Sequence, residues 1–152
     1  MKNNKICIVT GASRGFGRGI AKVLAEEEGC KVYATARNKE SLNSLAEEVA
    51  GKTNGGIVQA CQLDQNDDVA VKDFVGMVKS QNHKVDLLVN SAYAGLIAIE
   101  PHFGKPFWEK PVSLFDASIN IGLRSAYVMS SFVAPIMVKN KTGLIVQISS
   151  FG

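Results

Sequence analysis

The amino-acid sequence predicts a doubly wound α/β fold, in which helices cover both faces of a parallel sheet. Short apolar runs alternate with longer amphipathic runs, and a glycine-rich turn follows the first apolar run. That first run, residues 6–9, has no polar alternation, which is typical of a strand buried on both faces. Right-handed crossovers between parallel strands place helices on both faces of the sheet. Ligands of such sheets bind beyond the carboxyl ends of the strands, so the functional site is expected there.

Five strands and four helices are predicted in alternation. The strands are expected at residues 6–9, 31–35, 57–61, 85–89 and 143–149. The helix after the second strand has the clearest pattern, because apolar residues recur there at the spacing of one helix face. These residues are Leu42, Leu45, Ala46 and Val49. The four helices are therefore expected to connect the strands and to cover the sheet.

The segment between the fourth strand and the last helix predicts a loop. Residues 91–111 are rich in glycine and proline, which favours an extended loop longer than a simple connection needs. Residues 113–116 resemble a capping box. We therefore expect a long apolar helix to begin there and to run toward Pro135, where a kink or an early end is expected.

Composition and charge exclude several classes of function. The chain has 152 residues, of which 46% are hydrophobic and 20% charged, as in one compact domain. The net charge of +3, without a basic stripe, argues against a nucleic-acid partner. The longest uncharged stretch, residues 125–138, is shorter than the roughly 20 residues that a membrane span needs. We expect no membrane span and a cytoplasmic location, and endoplasmic reticulum association of a longer form stays open.

The cysteines and histidines predict no metal site and no redox site. Cys7, Cys30 and Cys61 lie in or beside apolar segments, without a CxxC spacing, and are expected to be reduced residues of the core. His83 and His102 show no ligand spacing and are expected to be exposed.

The glycine-rich turn after the first strand predicts a dinucleotide site. Residues 10–17 read Thr-Gly-Ala-Ser-Arg-Gly-Phe-Gly and lead from a buried strand into a helix. Glycines there let the backbone approach a pyrophosphate, which is bound by the free N–H groups of the helix N-terminus. The candidate binding residues are Gly11, Ser13, Arg14, Gly15, Phe16 and Gly17.

The end of the second strand favours NADP over NAD. An acidic side chain at this position would bind the ribose 2′-hydroxyl of NAD, whereas an arginine accommodates the 2′-phosphate of NADP. The chain has Arg37 here and no carboxylate, and Arg14 is available from the glycine-rich turn. Two guanidinium groups can hold a phosphate by charge-assisted hydrogen bonds. NADP (NADPH) is therefore the expected cofactor, and the alternative is that Arg37 is only a solvated charge.

The turn at residues 10–17 resembles that of the classical short-chain dehydrogenases/reductases, a Rossmann-type family, and the resemblance continues along the whole chain. It implies that Asp64 contacts the adenine and that Asn90 and Ala92 lie beside the nicotinamide ribose. It also implies that Asn120 and Ser150 are catalytic residues, with Ser149 as the alternative serine. Tyr93 stands where a glycine is usual in the family. Residues 92–95, 107–109 and 122–124 resemble one subgroup of the family.

The resemblance implies hydride transfer between the nicotinamide and a carbonyl or alcohol substrate. The family's Tyr-x-x-x-Lys general acid is absent, since Tyr33, Tyr93 and Tyr127 are followed four residues later by Arg, Ile and Ser. Residues 1–152 are therefore expected to be an incomplete NADP-binding domain, truncated after the fifth strand and inactive alone. A catalytically silent module that binds NADP or a partner protein is the alternative.

Two further expectations concern the substrate and the assembly. A small hydrophobic carbonyl or alcohol is the expected substrate, and a full-length form is expected to be a homo-oligomer. The aromatic residues Phe103, Phe107 and Trp108 either line the mouth of the substrate pocket or pin the long loop to the sheet.

Overall fold

A computed structural model of the chain describes residues 5–52 and 55–149, apart from the side chain of Leu96. Five parallel strands form one sheet in the order β3-β2-β1-β4-β5. The strands are β1 Ile6–Thr10, β2 Lys31–Ala36, β3 Ile57–Gln62, β4 Leu87–Asn90 and β5 Leu144–Gln147. The chain crosses from β3 over β2 and β1 to reach β4, so the strand order reverses beside β1. The predicted parallel sheet is confirmed, with strand ends shifted by one or two residues.

Six α-helices are present in the described part of the chain, two more than predicted. They are α1 Gly15–Glu26, α2 Lys39–Val49, α3 Asp68–Asn82, α4 Gly95–Ile99, α5 Val112–Ser118 and α6 Ser125–Asn140. Neighbouring residues of β1 face opposite cores, which makes the sheet doubly wound. Ile8 packs in one core with residues of α3 and α6, whereas Val9 packs in the other with residues of α1 and α2.

The predicted face of α2 is confirmed, because Leu42, Leu45 and Val49 are buried in the core that contains Val9. Side chains cap two of the helices that cover the sheet. Asn38 accepts a hydrogen bond from the N–H of Ser41 at the start of α2, and Asp67 caps α3 by accepting from two N–H groups. The start of α1 has no side-chain cap.

The prediction of an extended loop at residues 91–111 is wrong. This segment contains α4 and two 3₁₀ turns, Glu100–His102 and Phe107–Glu109. Pro101 lies in the first of these turns, and Pro106 directly precedes the second. Proline is tolerated at such starting positions because its missing N–H has no helical partner there.

The predicted capping box at residues 113–116 is also wrong. Helix α5 begins at Val112, directly after Pro111, and its first turn has no side-chain cap. The fixed φ of proline sets the entry into this helix, so Ser113 lies inside it.

The long apolar helix is interrupted near its middle and not at Pro135. A π-helical turn, Ile119–Arg124, separates α5 from α6, and Ile121 has non-helical dihedral angles of φ −106° and ψ 44°. The carbonyl of Ile121 accepts a hydrogen bond from the N–H of Ala94, which belongs to the segment after β4. A contact made by a distant segment therefore coincides with the break. Pro135 lies inside α6, which continues to Asn140.

The stretch Val112–Asn140 is long and apolar enough to cross a bilayer, by length and composition alone, since an 18-residue window within it has a mean hydropathy of 1.4. This is weak evidence, since the core helix of a soluble protein passes the same test. In the fold, α6 buries Val128, Met129 and Val133 in the core that it shares with α3. The expectation that the chain has no membrane span stays a prediction.

Candidate functional site

A cavity of about 760 Å³ lies at the carboxyl ends of the strands, where the strand order reverses. We call it the strand-end cavity. Its wall combines the turn after β1, the ends of β2 and β3, the segment after β4, the π-helical turn with its neighbour Ser118, and the end of β5. Its volume falls in the range of about 300–1,000 Å³ that is typical of small-molecule sites. The position is the one that the predicted fold assigns to a ligand.

The turn after β1 leaves the N-terminus of α1 open to this cavity. Arg14 precedes α1 without making a side-chain cap, and no acidic residue lies in the first helical turn. The first N–H groups of a helix have no intrahelical partner and carry the positive end of the helix dipole. An anionic group is therefore the natural partner for this end of α1.

Two glycines let the turn pack against its surroundings without side chains. Gly11 has a φ of +68°, and a Cβ there would lie 2.7 Å from the Cα of Ala92. A Cβ on Gly17 would overlap the carbonyl oxygen of Gly11. Any larger residue at either position would push the backbone of the turn away from its neighbour.

Thr10 joins this turn to β4, a role that the sequence analysis missed. Its buried Oγ1 accepts hydrogen bonds from the N–H groups of Ser91 and Ala92, over 3.0 and 3.1 Å. The only sequence signal was a hydroxyl residue at the last position of an otherwise apolar strand. The bonds fix the glycine-rich turn relative to the segment after β4.

The cavity is cationic where it meets β1 and β2. Arg37 follows β2, Arg14 belongs to the turn after β1, and both side chains are exposed and line the cavity. Neither guanidinium has a salt bridge among the described residues. Asp64 lines the same end from β3, and its Oδ1 accepts a hydrogen bond from the N–H of Asn66. This end can hold an anionic group between two arginines.

The other end of the cavity lies beyond β4 and β5. Tyr93 and Ser149 line it, together with Ser118 and residues of the π-helical turn. The phenol oxygen of Tyr93 lies 3.4 Å from Oγ of Ser118, within hydrogen-bond distance. This end is therefore lined by hydroxyl groups and by an aromatic ring.

Most of the predicted site residues lie together in the wall of the cavity. These are Gly11, Ser13, Arg14, Gly15, Phe16, Gly17, Arg37, Asp64 and Ala92. The structure therefore assembles the glycine-rich turn and both arginines as one surface.

Two of the predicted residues that the structure describes, Asn90 and Asn120, do not line the cavity. Asn90 is only 2% exposed, and its Nδ2 donates to Oγ of Ser130, while its Oδ1 has no partner among the described residues. Asn120 is exposed in the π-helical turn but does not line the cavity, although Ile121 does. Ser150 lies outside the described residues.

The predicted burial of the cysteines and the predicted exposure of the histidines are mostly confirmed. Cys7 and Cys30 are buried free thiols, and burial, with Cys30 as a neighbour, raises the pKa of Cys7. Burial raises the pKa of the half-buried Cys61 to about 11, so this thiol stays protonated at neutral pH. His83 is exposed as predicted, whereas His102 is half-buried. The described residues contain no cluster of metal-ligating side chains.

The exposure of the aromatic residues of the long segment contradicts one of their two predicted roles, that of pinning this segment to the sheet. Phe103, Phe107 and Trp108 are each more than 70% exposed, and none lines the strand-end cavity. Phe107 and Trp108 pack edge to face on each other, with ring centroids 5.3 Å apart. They therefore do not pin the segment to the sheet.

Comparisons with known proteins agree with this architecture. Over 150 residues the chain is 41% identical to dehydrogenase/reductase SDR family member 1 of Homo sapiens, covering 99% of this chain and 47% of that protein. It is 32% identical over 146 residues to 3-oxoacyl-[acyl-carrier-protein] reductase FabG of Thermotoga maritima, covering 96% of this chain and 55% of that protein. The chain thus spans about half the length of the curated relatives it matches.

Solved structures show the same fold. A metagenomic short-chain oxidoreductase in complex with NADP superposes with a TM-score of 0.86 at 32% identity, covering 99% of this chain and 64% of that one. A 7α-hydroxysteroid dehydrogenase complexed with NADH and 7-oxo glycochenodeoxycholic acid superposes with a TM-score of 0.83 at 31% identity, covering 98% of this chain and 54% of that one. A family profile described as short chain dehydrogenase matches residues 5–152. The chain therefore belongs to the short chain dehydrogenase family.

Proposed function

We propose that the strand-end cavity binds NADP(H) and that the chain forms the cofactor-binding part of an NADP-dependent oxidoreductase. The observation that supports this best is the joint placement of an uncapped α1 N-terminus and two arginines without salt bridges in one cavity. The substrate is a carbonyl or alcohol compound of hydrophobic character. We further propose a cytoplasmic location and a homo-oligomeric full-length form.

The residues of the cavity match the parts of this cofactor. Gly11 and Gly17 let the turn pack closely on its neighbours. The first N–H groups of α1 have no side-chain cap and are open for the pyrophosphate. Arg14 and Arg37 hold the 2′-phosphate, and the end of β2 carries no carboxylate that would repel it. Asp64 contacts the adenine from the end of β3.

The chemistry of the bound cofactor is hydride transfer at the nicotinamide. Ser150 would donate a hydrogen bond to the carbonyl oxygen of the substrate, and Asn120 would hold a water molecule in the proton relay. Asn90, the last residue of β4, donates a hydrogen bond to Oγ of Ser130. This bond fixes the end of β4 and thereby positions Ala92, which follows two residues later. Solved relatives bound to NADP, NADPH or NADH support a nicotinamide cofactor, and the choice of NADP rests on the two arginines.

Isothermal titration calorimetry with NADPH tests the location of the site, with two matched glycine variants of α1. Gly17→Ala places a Cβ against the backbone of Gly11, whereas Gly19→Ala has open space around its Cβ. We expect Gly17→Ala to weaken NADPH binding at least tenfold and Gly19→Ala to change it less than twofold. Equal affinities of both variants and the parent would contradict the proposed site.

A catalytically silent NADP-binding module is the second candidate. Residues 1–152 contain no Tyr-x-x-x-Lys, and they span about half the length of the curated relatives that they match. We expect the 152 residues alone to show no reduction of a hydrophobic ketone with NADPH, because general acid catalysis typically contributes about 10²–10⁴-fold. A longer form that carries a Tyr-x-x-x-Lys is expected to be active.

In that longer form, Ser150→Ala is expected to lower turnover far more than it weakens NADPH binding, and Ser149→Ala is expected to have the milder effect. Absence of turnover in the longer form would favour the silent module. Robust turnover by the 152 residues alone would contradict the assigned roles.

A further inference from the structure

Tyr93 places a large aromatic side chain in the wall of the strand-end cavity, in the segment after β4. It is the third residue after the end of β4, its side chain is 52% exposed, and it lines the strand-end cavity. A large aromatic side chain at this place changes the shape of the cavity, and none of the roles assigned above uses it.

Two glycines make room for the ring of Tyr93. A Cβ on Gly95 would overlap the phenol oxygen of Tyr93 and would lie 2.6 Å from Oγ of Ser118. A Cβ on Gly122 would lie 3.2 Å from Cδ2 of the same ring. The ring therefore rests in a recess against Gly95, where a side chain would overlap it, and against Gly122, where a side chain would be in tight contact with it.

Hydrogen bonds hold this recess together. The phenol oxygen of Tyr93 pairs with Oγ of Ser118 over 3.4 Å, and the N–H of Ala94 donates to the carbonyl of Ile121 over 3.2 Å. These bonds join the segment after β4 to the end of α5 and to the π-helical turn. A ring held in this way loses little conformational freedom when a ligand packs on it.

The position of the ring relates it to one half of the cofactor. In the proposed function, Arg37 holds the adenosine phosphate at the end of β2, and the turn with Gly11 holds the pyrophosphate beyond β1. The remaining half of a dinucleotide then extends past β4, because Gly11 lies directly against Ala92. Tyr93 directly follows Ala92 in the sequence.

We propose that Tyr93 is a binding residue for the nicotinamide and its ribose, an inference that rests on the proposed function. The part of the ring that faces the cavity packs against this half of the cofactor. We assign the phenol no general-acid role, because residue 97, four positions later, is isoleucine instead of lysine. Its contribution is to affinity and orientation.

Calorimetric titration of the 152-residue chain with two ligands tests this assignment. NADPH contains both halves of the cofactor, whereas adenosine 2′,5′-bisphosphate contains only the half bound at Arg37. Tyr93→Leu removes the ring, and Tyr93→Phe keeps the ring and removes the bond to Ser118. Tyr127→Leu is the matched control, because Tyr127 is exposed on α6 and does not line the cavity.

We expect Tyr93→Leu to weaken NADPH binding about tenfold, as for the loss of one well-placed aromatic contact. Its affinity for adenosine 2′,5′-bisphosphate should stay within twofold of the parent. Tyr93→Phe should weaken NADPH binding about threefold or less, and Tyr127→Leu should change neither ligand. If Tyr93→Leu fails to fold, Tyr93→Gly replaces it with the same expectation.

Three outcomes would overturn the inference. One is an NADPH affinity of Tyr93→Leu within twofold of the parent, and another is an equal weakening of both ligands. The third is that the parent binds neither ligand, which would overturn the proposed function as well. Binding of adenosine 2′,5′-bisphosphate by the parent therefore separates a failure of this inference from a failure of the proposed function.

Discussion

The hydroxyl oxygen of Thr10 accepts a hydrogen bond from the N–H of Ala92 over 3.1 Å, across a gap of 82 positions in the sequence. The same oxygen accepts a second bond, from the N–H of Ser91. Because Gly11 lies directly against Ala92, the turn after β1 and the segment after β4 are fixed as one unit. The two regions that would bind the pyrophosphate and the nicotinamide thus share one buried hydroxyl.

Replacing that hydroxyl should destabilise the fold. Thr10→Val keeps the shape of the side chain but leaves the N–H groups of Ser91 and Ala92 without their acceptor. We expect the free energy of unfolding, measured with urea, to fall by about 1–3 kcal/mol, the cost of unsatisfied polar groups away from water. Thr142→Val, at an exposed position, should change it by no more than about 0.5 kcal/mol. Equal stability of both variants would contradict the assigned role of Thr10.

The ion pair between Asp68 and Arg124 predicts a pH dependence of stability. Both Oδ atoms of Asp68 accept hydrogen bonds from Arg124, and this holds the pKa of Asp68 below its usual value. A carboxyl group with a lowered pKa stabilises the fold fully above its unfolded-state pKa of about 4, and that contribution is lost as the pH falls through the folded-state value. Asp68→Asn should therefore be less stable than the parent at pH 7.

Urea midpoints of the parent and Asp68→Asn, measured from pH 7 to pH 2, check this sign. The difference between them should be small, since nearly half of each side chain is exposed to solvent, and should shrink below about pH 4 and with added salt. Asn66→Asp, which introduces an exposed carboxyl group near the same helix start, serves as a comparison. A difference that grows on acidification would contradict the assignment.

Strand β5 forms one edge of the sheet in the described part of the chain, and it predicts self-association. Leu144 is 59% exposed and Ile145 is 39% exposed, beside backbone groups that face away from β4. Apolar edge strands of this kind pair with other chains. We expect the isolated 152 residues to scatter light in a concentration-dependent way and to bind a hydrophobic dye.

Leu144→Lys should reduce this scattering, because a charge on an edge strand disfavours pairing. Val69→Lys makes the same change at an exposed helical position and should leave the scattering unchanged. A monodisperse parent that binds no dye would show that β5 does not template association.

The sequence predicted the parts of the fold that depend on local pattern. Strands buried on both faces are continuous apolar runs, and the face of α2 was visible in the spacing of Leu42, Leu45 and Val49. The glycine-rich turn was identifiable because its residues are contiguous and follow a strand. Most of the predicted cavity residues belong to this contiguous turn, so they lie together in the structure.

Features that depend on distant contacts could not be predicted in this way. The break at Ile121 coincides with a hydrogen bond from Ala94, and the burial of Asn90 coincides with a bond to Ser130 on α6. Glycine and proline between residues 91 and 111 indicated a loop, although Pro101 lies at the start of a helical turn. Composition alone does not distinguish a proline that begins a turn from one that breaks a helix.

The central claim is that the cavity prefers NADP(H) because of Arg37, and dissociation constants for NADPH and NADH test it most directly. They are measured by calorimetry for the parent, Arg37→Asp and Lys39→Asp. Lys39 is exposed and does not line the cavity, so its variant controls for the general change of charge. A charge-assisted hydrogen bond is worth about 1.5–3 kcal/mol, which corresponds to roughly tenfold or more in affinity. We expect the parent to bind NADPH at least tenfold more tightly than NADH, Arg37→Asp to shrink or reverse this preference, and Lys39→Asp to retain it. Equal dissociation constants for the two cofactors in the parent would contradict the account.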